Sequence, residues 1–300
     1  MDRISSFSQQ RQFIAQALDV QRRYAAEQTQ LATSVKSQTY DGYGSSARTI
    51  ISLEAEIRAA DQYVSNGNLV AARVEASYGA TTKILDLASN ARTWLSSVIS
   101  GASGEVNGIN VQARAYLSEV ASLLNTRVDG YYVFAGTMST DAPVDITAYA
   151  ATDPTTVDAS YYHGSTSLAS YEAAPDQTIS YGTRADAAGF EKLLRALSTV
   201  AQADEDPVDV DLLQDAFGLL DKAIDDMSTE QARIAGTAAS IDEALDRNLD
   251  FQLYVDALVD DLKNVDVAEI TARLSATELQ LESAFSTLSK LQSINLLDYL

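Results

Sequence analysis

NTRVDGYYVFAGT, residues 125–137, stands where a long helical pattern gives way to something else. Asn125 to Arg127 read as a helix end and Asp129-Gly130 as a turn. Tyr131 to Phe134 read as a short strand of aromatic and β-branched residues. Ala135-Gly136-Thr137 follow, small residues that let backbone approach backbone. What such a strand is for depends on the chain to either side of it.

Outward from this stretch the prolines divide the sequence. Pro143, Pro154, Pro175 and Pro207 all fall in one central window, and both flanks have none. A proline inside a helix costs about 3 kcal/mol, so such flanks permit long helices. Their periodicity uses that permission. From Ile50 a three-four stripe runs through Leu53, Ile57, Ala60, Val64, Ala71, Val74, Tyr78, Leu85, Ala88, Leu95 and Ile99, with Gly67, Thr81 and Arg92 as weak members. It keeps phase through Gly67, which predicts one helix of about 50 residues, about 75 Å long. A shorter helix follows on Ile109, Ala113, Leu117, Val120 and Leu124.

The C-terminal flank carries one seam on Leu213, Phe217, Leu220, Ile224, Met227, Ile234, Ala238, Ile241 and Leu245. A second runs on Val267, Ile270, Leu274, Leu281, Ala284, Leu288 and Leu291. A weaker N-terminal stripe joins Ile4, Phe7, Ile14, Leu18, Ala25, Ala32 and Val35. Neither terminal seam can bury itself alone, so the first and last helices are expected to pair. SQTYDGYGSS, residues 37–46, reads as a hinge. In the centre DASYYHG, TSLASYE and QTISYGT read as three short strands. A helix returns on Phe190, Leu193, Leu194, Leu197 and Val200, and Asp204-Glu205-Asp206-Pro207 makes a charged break before the final long helix.

The expected fold is therefore mainly α with a small β insert, a long antiparallel helical bundle or coiled coil whose N- and C-terminal helices pair. The expected division is 1–40 with 255–300 as paired terminal helices, 46–137 with 184–254 as a helical outer domain, and 138–183 as the β-rich insert.

Composition excludes more than it suggests. Asp plus Glu number 42 against 21 Lys plus Arg, a net charge of -21, so nucleic acid and anionic membranes are poor partners. No apolar run approaches a membrane span. MDRISSFSQQRQFIAQAL lacks an apolar core and an A-x-A site, so no cleaved signal peptide is expected. Cysteine is absent and His163 is the one histidine, which leaves no usual zinc or copper site. Phosphate-cradling glycine loops and GxSxG are missing too. The acidic run from Asp204 lacks the Gly and distal Glu of a calcium loop. No cofactor, metal or catalytic residue is expected, and the chain reads as a building element, not an enzyme.

Three stretches carry a resemblance, in matching order along the chain. NTRVDGYYVFAGT with Pro143 close behind, residues 161–197, and residues 264–300 ending in LLDYL resemble the bacterial flagellin family. FAGT and LLDYL resemble its hook–filament junction branch more than its filament subunits. SVKSQTYDGYGSS departs from the family pattern, with Val35 where a glycine is usual and no proline. The resemblance implies a flagellin-like fold and a structural subunit of the flagellum, exported by the type III apparatus without a cleaved signal and located outside the cell. The neighbours it implies are hook-associated protein 1, flagellin and further copies of the chain, with a cytoplasmic chaperone on the C-terminal helix before export. Assembly contacts are then expected at Ile4, Phe7, Ile14, Leu18, Leu281, Leu288, Leu291, Leu296, Leu297, Tyr299 and Leu300. Asn125, Arg127, Gly130, Phe134, Gly136 and Thr137 would form the junction-type motif. Two alternatives stay open at this point: a filament subunit of the same fold, and a secreted coiled-coil effector or tether.

Overall fold

The structure, a computed structural model, describes residues 2–101, 108–203 and 209–297. The side chains of residues 2–7, 9–10 and 291–297 lie outside that description, as does the Asp204–Pro207 break. The element order is α1 (Asp2–Thr33), a 3-10 segment (Tyr40–Ser46), α2 (Ala47–Ile99), α3 (Ile109–Leu124), β1 (Arg127–Val128), β2 (Tyr131–Tyr132), β3 (Ala169–Ala174), β4 (Gln177–Tyr181), α4 (Ala188–Gln202), α5 (Val210–Lys263) and α6 (Val267–Leu297). The chain is mainly helical with two small antiparallel hairpins, β1–β2 and β3–β4, as the proline-free striped flanks lead one to expect. It divides into two compact units, Met1–Arg58 with Gln252–Leu300, and Ala59–Phe251.

In the larger unit α2 and α5 run antiparallel. Arg92 meets Asp221 at 2.6 Å, Gln231 donates to Thr82 at 2.7 Å, and Gly67 lies under Leu245. Their seam differs in phase from the large-residue stripe. On α2 the buried positions of this unit are Ala60, Gly67, Val70, Val74, Ser77, Ala80, Thr81, Ile84, Ala88, Ala91 and Leu95, whereas Tyr78 and Arg92 are exposed and Leu85 is half-buried. On α5 they are Leu213, Ala216, Leu219, Leu220, Ala223, Met227, Ile234, Ile241 and Ala244, with Phe217, Ile224 and Leu245 on the flank. About half of these positions lie on the hydrophobic stripe, and most of the others are small. Two helix backbones approach closest where alanine, serine or glycine faces the partner, so the larger neighbours move to the rim. The buried hydroxyls stay satisfied within the helix: Ser77 donates to the Val74 carbonyl and Thr81 to that of Ser77, both at 2.8 Å.

One apolar cluster joins the C-terminal half of α2 to α3, α4 and the first half of α5, with Phe134, Tyr149 and Tyr161 inserted from the central segment. Trp94 flanks it against Tyr116, ring centroids 5.8 Å apart. A second cluster packs Tyr171, Ala173 and Tyr181 of the β3–β4 hairpin on Val70, Val74, Ile234 and Ile241.

Of the three strands expected in the centre, two form. DASYYHG, residues 158–164, is not a strand: Tyr162 makes a single bridge to Val144, and side chains fix the rest. The Tyr161 hydroxyl donates to the Ala185 carbonyl at 2.9 Å, and the Asp158 amide donates to Glu191 at 3.0 Å. Glu191 is itself paired with Arg195, both nearly fully buried, and Arg195 also donates to the Pro154 carbonyl. A buried pair of this kind is tolerated because its charges face each other and further hydrogen bonds to the Asp158 amide and the Pro154 carbonyl offset part of the desolvation, although Arg195 Nε has no hydrogen-bond acceptor. His163 lies in the same irregular stretch. Its amide donates to the Pro143 carbonyl at 2.8 Å in irregular chain.

In the smaller unit α1 lies antiparallel to α6. Phe13, Ala17 and Val20 face Ala284 and Thr287, and Val35 bridges Asn264. Asp266 caps α6, accepting from the amides of Ala268 and Glu269 at 2.8 and 3.2 Å. Residues 34–36 cap the end of α5. The Lys36 amide donates to the Lys263 carbonyl at 2.8 Å, and its ammonium group donates to the carbonyls of Asp261 and Leu262.

Candidate functional site

The smaller unit has too little interior for its apolar content. Among the described residues it buries five apolar side chains, Ala17, Ile50, Val255, Val259 and Ile270, against 41 in the larger unit. Yet it carries eleven of the twenty large apolar side chains left exposed, among them Phe13, Ile14, Leu18, Leu253, Tyr254, Leu279 and Phe285. Apolar exposure at that density is unusual for a unit that stands alone.

The cause lies in the seams. On α1 the face turned inward is Ala17, Val20, Tyr24 and Leu31, one step away from the stripe of Ile14 and Leu18. Ile14 is therefore 39% and Leu18 53% exposed. On α6 Ile270 is buried and Leu281 and Leu288 are half-buried, while Val267 points outward. Of the assembly residues expected from sequence, Ile14 and Leu18 thus stand on the outer surface of the α1–α6 pair, and Leu281 and Leu288 belong partly to its seam. The side chains of Ile4, Phe7, Leu291, Leu296 and Leu297, and Tyr299 and Leu300 altogether, lie outside the described residues. Phe13, Leu279 and Phe285 fall between the sequence stripes and are exposed as well, Phe13 and Leu279 along a groove between α1 and α6.

The hinge is a polar knot within this unit. Glu54 accepts from the Tyr40 hydroxyl at 2.6 Å and from the Lys263 ammonium. Hydrogen bonds from Lys263 first, and from Tyr40, hold the Glu54 carboxyl below its ordinary 4.5. The hydrogen bond to Glu54 raises Lys263 above 10.5, and Tyr40 is raised for the same first cause. The Tyr43 hydroxyl donates to the Ser37 carbonyl at 2.5 Å, and the backbone breaks at Gly44, where φ is 55°.

The stretch 125–137 forms a second polar and aromatic knot, in the larger unit. The Asn125 side chain takes the Val144 backbone at both ends, donating to its carbonyl at 2.8 Å and accepting from its amide at 3.1 Å. Asp129 and Gly130, at φ 50° and 83°, close the β1–β2 hairpin, and the Arg127 guanidinium donates to the Gly130 carbonyl over the Tyr132 ring. Pairing then changes partner residue by residue. The Val133 amide donates to the Thr126 carbonyl, Phe134 accepts from Ala185, and Ala135 accepts from Ser165. Phe134 packs edge-on against Phe190, centroids 5.6 Å apart. Gly136 has φ 64°, and a Cβ there would stand 2.5 Å from the Ser167 carbonyl oxygen. The Thr137 amide donates to that same oxygen at 3.0 Å. Each motif residue thus has a partner inside the chain: the stretch ties the irregular segment 138–168 to α3 and α4. Among the described residues no His, Cys, Asp and Glu cluster with metal-ligand geometry occurs, and no helix is long and apolar enough to cross a membrane.

Comparison with known proteins places this geometry. Residues 217–300, α5 from Phe217 onward with α6 and the tail, match the family model described as the bacterial flagellin C-terminal helical region. Two solved structures share the fold. A protein of Vibrio parahaemolyticus assigned as a flagellar hook-associated protein is 14% identical, with a TM-score of 0.56 over 73% of this chain and 97% of its own. FlgL of Bacillus cereus is 13% identical, with a TM-score of 0.54 over 70% of this chain and 98% of its own. Comparison with curated protein sequences gave no match.

Proposed function

We propose that the chain is a structural, non-catalytic subunit of the bacterial flagellum that joins hook to filament, of the kind called hook-associated protein 3. The observation that carries this is the smaller unit's surplus of exposed over buried apolar side chains, which suits a subunit completed by its neighbours. The flagellin C-terminal match and the two structural neighbours support the flagellar setting. In this reading 1–40 with 255–300 form the inner, neighbour-binding part of a helical tube. Residues 46–137 with 184–254 form an outer domain carrying the insert 138–183. Side-to-side contacts that do not close on themselves generate such tubes. The neighbours are hook-associated protein 1, flagellin and further copies of the chain. Export through the type III apparatus needs no cleaved signal, and a cytoplasmic chaperone holds the C-terminal helix beforehand.

A filament subunit is the second reading, because the family match over 217–300 serves both. A strain lacking the gene decides between them. A junction subunit leaves hooks in place and flagellin shed into the medium, and the purified chain does not elongate on filament seeds. Long filaments grown from this chain alone on such seeds would overturn the junction role. Removal of Leu296 to Leu300 is expected to abolish incorporation while the larger unit keeps its melting temperature. Normal incorporation of the truncated chain would show that the tail is not an assembly contact.

A further inference from the structure

Arg73 is an arginine of the larger unit with no acidic partner. Arg92, Arg184, Arg195, Arg233 and Arg247 each pair with a carboxylate, but among the described residues none lies within ion-pair distance of Arg73. Its guanidinium carbon stands 4.4 Å from the centre of the Tyr131 ring. One long hydrogen bond, 3.4 Å, reaches the Tyr181 hydroxyl, and Nε is enclosed without an acceptor. The side chain forms a shared wall of two open clefts of about 520 and 330 Å³, the first between α2 and β3 and the second beside Tyr131, Thr137 and Ser139. Ser170 of β3 lines both. In a chain of net charge -21, a cation held over an aromatic ring with donors unused is an acceptor-shaped vacancy in the charge pattern.

We propose that the Arg73 clefts take an acidic side chain presented by a peptide segment of a second copy of this chain. The guanidinium receives the carboxylate, and the peptide lies along Ser170 between the tyrosines. The Arg73 cation is complementary at short range to a carboxylate, and with 42 carboxylates per copy an acid is the commonest charged group a neighbouring copy presents. Glu172, which lines the first cleft, disfavours a bare dianion and suits a segment that brings backbone N–H groups beside its acid. The chemistry of the cleft stands by itself, and only the identity of the second copy rests on the assembly reading.

The test has two arms. In the first, the full-length monomer at low ionic strength is titrated with a blocked Gly-Ser-Asp-Gly-Ser peptide while the Arg73 Nε–H resonance is followed. A saturable shift is expected, at least tenfold weaker with Asn in place of Asp and lost in Arg73→Gln, whose melting temperature confirms folding. Equal binding by Arg73→Gln, no binding at all, or sulfate binding as tightly as the Asp peptide overturns the proposal. In the second, Arg73→Lys assembled from mixed isotopic labels is treated with carbodiimide. A zero-length cross-link from position 73 to an Asp or Glu of another copy is expected in the assembly and not in the monomer. An assembly that forms normally without that link overturns the second copy as occupant. Failure to assemble at all counts against the flagellar reading and leaves the titration as judge of the cleft.

Discussion

Gly136 and Leu18 sit at opposite ends of what a single side chain does here. At Gly136 the backbone is left-handed and the Ser167 carbonyl occupies the space a methyl group needs. Gly136→Ala is expected to destabilise the larger unit by about 1–3 kcal/mol, read as a fall in its thermal midpoint. Asn125→Ala, which removes both hydrogen bonds to Val144, is expected to cost about 1–3 kcal/mol, because the Val144 groups are left without partners. A midpoint unchanged in both variants would mean that the 125–137 stretch is not what holds segment 138–168. Leu18, at 53% exposure, is the reverse case. Leu18→Ser is expected to leave the monomer's stability within about 0.5 kcal/mol while lowering incorporation into the assembly. A stability loss without an assembly defect would place Leu18 in the monomer's core.

At the scale of elements the hinge makes a pH-dependent prediction. Glu54 is held below 4.5, so its contribution is present in full above that value and is lost as pH falls through the lower folded one. Lys263 is held above 10.5, so its contribution is present in full below that value and is lost as pH rises through the higher folded one. Between the two the knot is insensitive to pH. The Glu54 carboxyl carbon is expected to titrate below 4.5, and Lys263→Met to move that midpoint upward. An unmoved midpoint would show that Lys263 is not the partner that matters. The same scale shows what periodicity can and cannot reveal. The helices of α2 and α5 were legible because proline and stripe agree, but a ranking by side-chain size selected Phe217 and Tyr78 over Ala216 and Ser77. Close approach of two backbones inverts that ranking, and no single helix records which partner it meets. DASYYHG failed as a strand for a related reason: Tyr161 and Asp158 are fixed by the distant Ala185 and Glu191. The motif 125–137 was legible as a turn and a close approach, though not its exchange of partners at every residue.

For the whole molecule, unequal cores imply unequal stability. Each large apolar side chain fully buried contributes about 1.5–3 kcal/mol, and among the described residues the smaller unit buries five apolar groups, three of them no bigger than valine. Brief proteolysis of the monomer is expected to remove about the first 40 and last 45 residues and to leave a resistant fragment within 46–250. Slow amide exchange at Leu288 in a verified monomer would refute this. The assembled form is expected to resist the same protease, since burial by neighbours stabilises by mass action what the chain leaves open.

Trp94, packed on Tyr116 beside the larger unit's main cluster, is the chain's single indole. Its emission therefore reports one unit and is blind to the other, whereas far-ultraviolet ellipticity counts helix from both. On heating the monomer, ellipticity should begin to fall while the emission maximum stays in place, and the red shift should come later as Trp94 meets water. In the assembled state the two curves should merge. The gap between them is then an optical gauge of polymerisation that requires no dye and no added label.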